Sequence, residues 1–481
     1  MRAGIVLSTL GYLVFFIGVS MFVPLAVSLI YDDGDVPAFA VSAAVTIVVG
    51  LGLGLGFRGK KTEIKAREGY LIVSASWTAM ALFGALPFVL SGAIPDPVDA
   101  VFESMSGFTT TGASILSEIE SLPHGILFWR SFTHWIGGMG IIVLTVAILP
   151  FLGVGGMSLA KAELSGPVTD KLAPRMIETA RILWGVYVLL TAVEVVLLCV
   201  GGMNLFESLC HTFGTMATGG FSTRNTSIAA FPGRFVQYVI VVFMFIAGTN
   251  FTLHFHALRG RVTTYWKSPE FRFYLVSTLA VIAIVMADLV FVRGDGVEAA
   301  FRSSSFQTVS ILTTTGYATE DFGLWTPLSQ FLLVSIMVMG GMAGSTAGGV
   351  KVMRLQLLLQ HVRLEMKRFL HPAAVLRVRM GDKVVPESIV SMVISFFLLY
   401  AILVFLGTVV MTLLGMDMVS GGTAVVACVS NVGPGLGTVG PAANFGHVHP
   451  VGKVALTFLM LVGRLEIYTI LVIFSRGYWR A

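Results

Sequence analysis

Phe102-Glu103-Ser104-Met105-Ser106-Gly107-Phe108-Thr109-Thr110-Thr111-Gly112 returns 204 residues later as Phe306-Gln307-Thr308-Val309-Ser310-Ile311-Leu312-Thr313-Thr314-Thr315-Gly316. Each copy is a short amphipathic run that ends in Thr-Thr-Thr-Gly and is flanked by long apolar segments. Weaker versions of the same ending occur at Ala217-Thr218-Gly219-Gly220-Phe221 and at Val432-Gly433-Pro434-Gly435-Leu436. An isolated Thr-Thr-Gly string is ordinarily a polar turn at a helix end. Four of them in step with apolar pairs predict a four-fold pseudo-symmetric pore instead. Carbonyl oxygens from four such loops can replace the water shell of a potassium ion. The glycine serves this geometry, because carbonyls turned toward a shared axis need backbone angles that a Cβ disfavours.

The composition places these loops in a membrane. The 481 residues are 56% hydrophobic and only 12% charged, with mean hydropathy +0.87, whereas soluble chains carry roughly a quarter charged residues. The 53 glycines suit close helix packing and locally broken helices. Cys199, Cys210 and Cys428 are scattered, so neither a disulfide framework nor metal-ligand spacing is expected. The net charge of +5 reads as membrane topology rather than nucleic-acid affinity, because the basic residues gather in particular loops. No Ser/His/Asp set, paired-carboxylate site or metal cluster emerges. The chain is expected to be no enzyme and to bind no cofactor.

Two apolar spans, 4–30 and 36–57, precede the repeats and read as retained transmembrane helices. The repeats then follow as helix, re-entrant segment and helix: 70–90, 98–108 and 125–152; 177–200, 204–216 and 235–258; 274–292, 297–312 and 328 onward; 388–414, 422–431 and 451–474. The re-entrant segments are too short and polar to span a bilayer, but half-helices buried in protein are tolerated. This divides the chain into an amino-terminal pair (1–68) and repeats at 69–152, 153–258, 259–370 and 371–481. A second landmark keeps step with the loops: Gly138 follows Gly112 by 26 residues, Gly248 follows Gly220 by 28, Gly341 follows Gly316 by 25 and Gly463 follows Gly435 by 28.

Ten crossings with the amino terminus inside place 24 of the 31 Lys and Arg residues on the cytoplasmic side, as the positive-inside rule requires. All four loops then open outward. Asp96, Asp99, Asp295, Glu320 and Asp321 are expected to form an acidic outer vestibule that concentrates cations.

With four filter loops and ten spans, the chain resembles the Trk/Ktr/HKT family of potassium transporters, and its two extra amino-terminal helices resemble the TrkH-type membrane subunit. The resemblance implies an all-α membrane protein with four helix–pore-loop–helix repeats around one ion pathway. It further implies a homodimer in the bacterial inner membrane, both termini cytoplasmic, with a TrkA-type nucleotide-binding regulatory subunit. Membrane lipids are the other expected partners, and nucleic acid is not one. The family's filter glycines map to Gly112, Gly220, Gly316 and Gly435. The filter set is Thr110, Thr111, Gly112, Thr218, Gly219, Gly220, Thr314, Thr315, Gly316, Val432, Gly433 and Gly435, with K⁺ as the transported ion. The fourth loop departs from the Thr-rich pattern.

The run 340–349 holds five glycines in ten residues and cannot be a good helix interior, since each glycine costs roughly 1 kcal/mol relative to alanine. In the family the corresponding stretch is an intramembrane gating loop, here Gly340, Gly341, Gly344, Ser345, Thr346, Gly348 and Gly349. Its Gly-x-x-x-x-Gly spacing also suggests a nucleotide P-loop, but Val350 stands where that motif needs lysine and no strand precedes it. Arg464, inside the last apolar helix, is expected either to pair with Glu466 or a neighbouring helix, or to face the pore below the filter, where its positive charge limits cation flow or holds the loop. His134 and Trp135 read as packing residues, and His254 and His256 as interfacial. The basic stretch 351–383 suits either a docked regulator or ordinary membrane anchoring. An ion-coupled secondary transporter is the alternative class. Such proteins bury charge at the midplane and use inverted repeats, whereas these repeats are parallel.

Overall fold

The computed structural model describes residues 2–57, 66–147, 172–372, 374, 376–381 and 383–480. The expected end of one inner helix at 152, and most basic residues of the 58–67 and 161–181 clusters, lie outside them. Among the described residues the regular structure is helical, apart from a two-stranded hairpin of Arg379–Met380 and Lys383–Val384.

Helices Ala3–Ser20 and Phe22–Tyr31 form one apolar span that packs along Val36–Gly56. A Cβ on Gly11 would meet the backbone of Gly50 and Gly54, so these helices touch backbone to backbone, as small-residue seams in membranes allow. After this pair, one order recurs four times: a long outer helix, a short helix and an inner helix. The outer helices are Ala66–Gly84 with Leu86–Leu90, Leu172–Val200, Pro269–Asp288 and Glu387–Leu413. The short helices are Pro97–Phe108, Leu205–Ala217, Val297–Leu312 and Met418–Ser430. At 12 to 16 residues and 1.5 Å rise per residue, they fall short of a hydrocarbon core of about 30 Å. Asp96, Asn204 and Asp417 cap three of their amino termini through side-chain acceptors, a role for which Asp and Asn are favoured.

The inner helices are where the repeats diverge. His124–Ala147 is continuous. Arg234–Ala247 bends by 104° into Phe251–Leu258, and Pro450–Arg464 by 116° into the helical segment Ile467–Phe474. Pro327–Met339 is separated from Val352–Leu370 by an irregular stretch. Among the described residues, six helices are long and apolar enough to cross a membrane, or eight if each bent pair is one span.

Apolar packing closes the repeats on one another. One core joins Phe102, Phe108 and Trp129 of the first repeat to Val425, Leu456 and Met460 of the fourth. Others join the first repeat to the second through Ile142 and Tyr187, the second to the third through Ile240 and Phe306, and the third to the fourth through Leu312 and Val432. The buried Lys453 ammonium lies 2.6 Å from Asp99 and ties the fourth repeat back to the first.

Candidate functional site

All four short helices end the same way. The residues Thr110, Thr218, Thr314 and Asn431 have φ of 51°, 55°, 60° and 55°. Their N–H groups, and those of the next residues, donate back into the last turn: Thr110 to Gly107 and Thr111 to Ser106, Thr218 to Thr215 and Gly219 to Gly214, Thr314 to Ile311 and Thr315 to Ser310, Asn431 to Cys428 and Val432 to Ala427. This is a Schellman ending, which normally takes glycine or asparagine at its left-handed position. Threonine there is β-branched and strained, by about 1–2 kcal/mol, and such strain persists only where its surroundings enforce it.

Two residues further on, Gly112, Gly220, Gly316 and Gly433 again take positive φ, between 79° and 97°. An added Cβ shows what each glycine faces. On Gly112 it would strike the carbonyl oxygen of Gly219, on Gly220 that of Thr315, and on Gly316 that of Val432. On Gly433 it would stand 2.7 Å from the carbonyl oxygen of Thr111. The sequence of contacts therefore runs from each repeat to the next and closes on itself. Every glycine abuts the carbonyl of the residue just before the neighbouring glycine. The four helices also direct their carbonyl ends, which carry partial negative charge, toward this ring. The four glycines line a cavity of about 160 Å³ on the side away from those helix ends.

Buried polar braces hold the loops in place. Arg130, 1% exposed, lies 2.8 Å from Glu103, donates to the Ser222 carbonyl at 3.2 Å and covers the Phe221 ring at 4.3 Å. Glu103 also accepts from Ser114 and from the Ile115 N–H. Counting back seven residues from each left-handed residue gives Glu103, His211, Gln307 and Ala424. The first three bond to their own loops: His211 meets the Ser222 hydroxyl at 2.9 Å, and Gln307 donates to the Glu320 carbonyl at 3.2 Å. His134 spans two repeats, with Nδ1 2.7 Å from the Gly107 carbonyl and Nε2 accepting the Phe221 N–H at 3.1 Å. Asn431 donates to the Thr111 hydroxyl and to the Met460 carbonyl, both at 2.9 Å.

The irregular stretch of the third inner helix lies against the helix-end side of the ring and reaches every repeat. Gly348 N–H donates to the Thr314 hydroxyl at 2.7 Å, and Gly349 N–H to the Ser430 carbonyl at 2.9 Å. The Thr346 hydroxyl donates to the Met216 carbonyl at 3.0 Å and the Ala247 carbonyl at 3.2 Å. Asn250 donates to the Ala343 carbonyl, and Glu270 accepts the Ala343 N–H, both at 2.7 Å. Ser345 closes a turn onto the Met342 carbonyl. Gly340, Gly344 and Gly349 take positive φ, and a Cβ on Gly341 would meet Ala347. Arg464, 3% exposed, donates to the Thr346 carbonyl at 2.7 Å and, at 3.4 Å, to that of Gly137. Through this arginine the first repeat also touches the stretch.

Several expectations change. The fourth ring glycine is Gly433, not Gly435: Pro434 and Gly435 continue past the ring, and the Gly435 N–H donates to Val439 at 2.7 Å. Its sequence register failed because the Thr-rich ending is replaced by Asn431-Val432, so the later Gly-Leu pair took the place of Gly-Phe and Gly-Tyr. The spacing to Gly463 becomes 30 residues from Gly433. Glu466 lies 2.5 Å from Arg354 rather than on Arg464. His254 is buried, between the Tyr265 hydroxyl and the Ile246 carbonyl, not interfacial. Among the described residues, none of the five acids expected in a vestibule lines the cavity above the ring, whereas Arg130 and Arg224 do. Asp96 and Asp321 cap helices, Asp99 pairs with Lys453, and Asp295 and Glu320 meet Arg293. The Glu103–Arg130 pair was missed. Its only sequence signal is one arginine in an apolar run opposite one glutamate in a short helix.

The chain from residue 36 to residue 479 matches the TrkH family model, described as a cation transport protein. It is 43% identical over 474 residues to the Trk system potassium uptake protein TrkH of Salmonella typhimurium, covering 98% of each chain. It is 42% identical to the protein of the same name from Escherichia coli K12, again covering 98% of both. The crystal structure of the potassium transporter TrkH from Vibrio parahaemolyticus superposes over 100% of both chains with a TM-score of 0.93 and 38% identity. Family model, relatives and solved structure agree with one another over essentially the whole length, and the chain belongs to the TrkH family of cation transport proteins.

Proposed function

We propose that this chain takes up potassium through a selective, gated pore. The observation that carries the reading is the closed circuit of glycine and carbonyl contacts, Gly112 to Gly219, Gly220 to Thr315, Gly316 to Val432 and Gly433 to Thr111. Four inward-turned backbones at the carbonyl ends of four helices offer a dehydrated cation the ligands that it loses from water. Thr110, Thr111, Thr218, Thr314 and Thr315 complete the filter with Asn431 and Val432, and Gly435 supports the fourth loop from outside it. The stretch 340–349 is the gate, held across the inner mouth by Arg464. The four repeats divide at about residues 69, 153, 259 and 371, after the amino-terminal pair. The protein works as a homodimer in the bacterial inner membrane with both termini cytoplasmic. A TrkA-type nucleotide-binding subunit controls it from the basic surface of 351–383.

The test is flux into liposomes bearing the purified protein, comparing K⁺, Rb⁺, Na⁺ and choline. K⁺ and Rb⁺ entry well above Na⁺, lost in Gly316→Ser while the protein still inserts and stays dimeric, supports the filter. An unchanged K⁺/Na⁺ ratio in that variant refutes it.

A further inference from the structure

The threonines at the left-handed helix ends raise a question that the ring itself does not answer. Glycine or asparagine would end these helices with less strain, and Asn431 does so in the fourth repeat. Three threonines at such positions imply that their hydroxyls have a use. The hydroxyl of Thr110 is buried and has no hydrogen-bond partner among the described residues. The Thr314 hydroxyl, in the repeat diagonally opposite, accepts the N–H of Gly348 at 2.7 Å. An oxygen that stands free in one repeat is thus occupied in another by the loop that crosses beneath.

We propose that the Thr314 hydroxyl is the oxygen for which the loop and the innermost cation compete. This rests on the filter reading above. With the loop in place, the Gly348 N–H points at the Thr314 oxygen and directs its partial positive charge at the face a cation needs. With the loop withdrawn, Thr314 matches Thr110 and its oxygen becomes available to an ion at the base of the ring. The competition is reciprocal: a cation bound at that base weakens the loop's hold, and the seated loop weakens cation binding there by the same factor. The neighbouring bond from Gly349 to the Ser430 carbonyl places the amide in register. No charge on the loop is needed.

The test uses the full chain in liposomes with Ser345→Cys as reporter, in a Cys199→Ser background because Cys210 and Cys428 are buried. The rate of modification by a membrane-impermeant thiol reagent is measured in K⁺, Na⁺ or choline at equal ionic strength. K⁺ should accelerate modification over choline by about fivefold or more, the lower end of ordinary allosteric couplings. Thr314→Ser should keep this dependence and Thr314→Val should abolish it. Thr314→Gly removes the hydroxyl while favouring the left-handed helix end, so it should also lose the dependence while remaining folded. Equal rates in K⁺ and choline, or a K⁺ dependence that survives in Thr314→Gly, would overturn the proposal. The K⁺/Na⁺ flux ratio of Gly316→Ser is measured in parallel. If that ratio is unchanged, the filter reading falls and this inference with it; if it collapses while modification ignores K⁺, this inference alone falls.

Discussion

Replacing Arg464 with alanine removes a charged donor that, alone among the described residues of the fourth repeat, reaches the loop. The Arg464 bond to the Thr346 carbonyl is short, 2.7 Å, and buried, and a hydrogen bond to a charged group is worth about 1.5–3 kcal/mol. The contact with Gly137 at 3.4 Å is long and adds little. The loop loses that stabilisation only when seated, so its opening constant rises by the whole amount. At about 1.4 kcal/mol per factor of ten, basal flux without a regulator should rise about 10- to 150-fold. The assay is Rb⁺ uptake into liposomes, with size-exclusion chromatography confirming that the variant is folded and elutes as the wild type does. Selectivity should persist, because Arg464 makes none of the ring contacts. Thr346→Val separates a latch from a simple charge barrier. It removes the hydroxyl bonds to Met216 and Ala247 without changing charge, and at about 1 kcal/mol for a neutral bond it should raise flux about fivefold. Wild-type flux in folded Arg464→Ala would refute the reasoning. An increase in Arg464→Ala with none in Thr346→Val would mean that the arginine repels cations rather than holding the loop.

Gly433→Ala should reduce the K⁺/Na⁺ flux ratio by about tenfold, the equivalent of 1.4 kcal/mol, because its Cβ presses on the Thr111 carbonyl at 2.7 Å. A Cβ on Gly435 would have Thr423, at 2.8 Å, and Val439 as its nearest neighbours and no ring carbonyl among them, so Gly435→Ala should leave that ratio within about twofold, a few tenths of a kcal/mol; the opposite order would restore the Gly435 register. Glu103→Gln leaves Arg130 without its buried countercharge and should destabilise the fold by about 3–5 kcal/mol, seen as a lowered unfolding temperature in detergent. Neutralising Arg363, Lys367 and Arg368 should reduce co-purification of a TrkA-type partner, and undiminished capture would assign these charges to membrane anchoring.

Local chemistry and counting made much of the architecture legible. Apolar length separates spanning helices from short ones, because only about 20 apolar residues cross a bilayer. The repeated Thr-Thr-Thr-Gly ending, in step with those lengths, predicted four equivalent modules. The five glycines in 340–349 marked where the third inner helix breaks, and an arginine in an apolar helix demanded a polar partner. Which partner it found was a tertiary matter. Arg464 reaches Thr346, 118 residues away, because the fourth repeat packs against the first and closes the ring around the loop. The same closure chose Gly433 over Gly435. Gly433 takes its φ of 97° against the carbonyl of Thr111, brought round from the first repeat, whereas Gly435 faces Thr423 and Val439 of its own repeat. Glu103 and Arg130, and His134 between Gly107 and Phe221, were hidden for the same reason. A polar residue in an apolar run shows that it needs a partner, but the partner's identity depends on which helix ends the packing brings together.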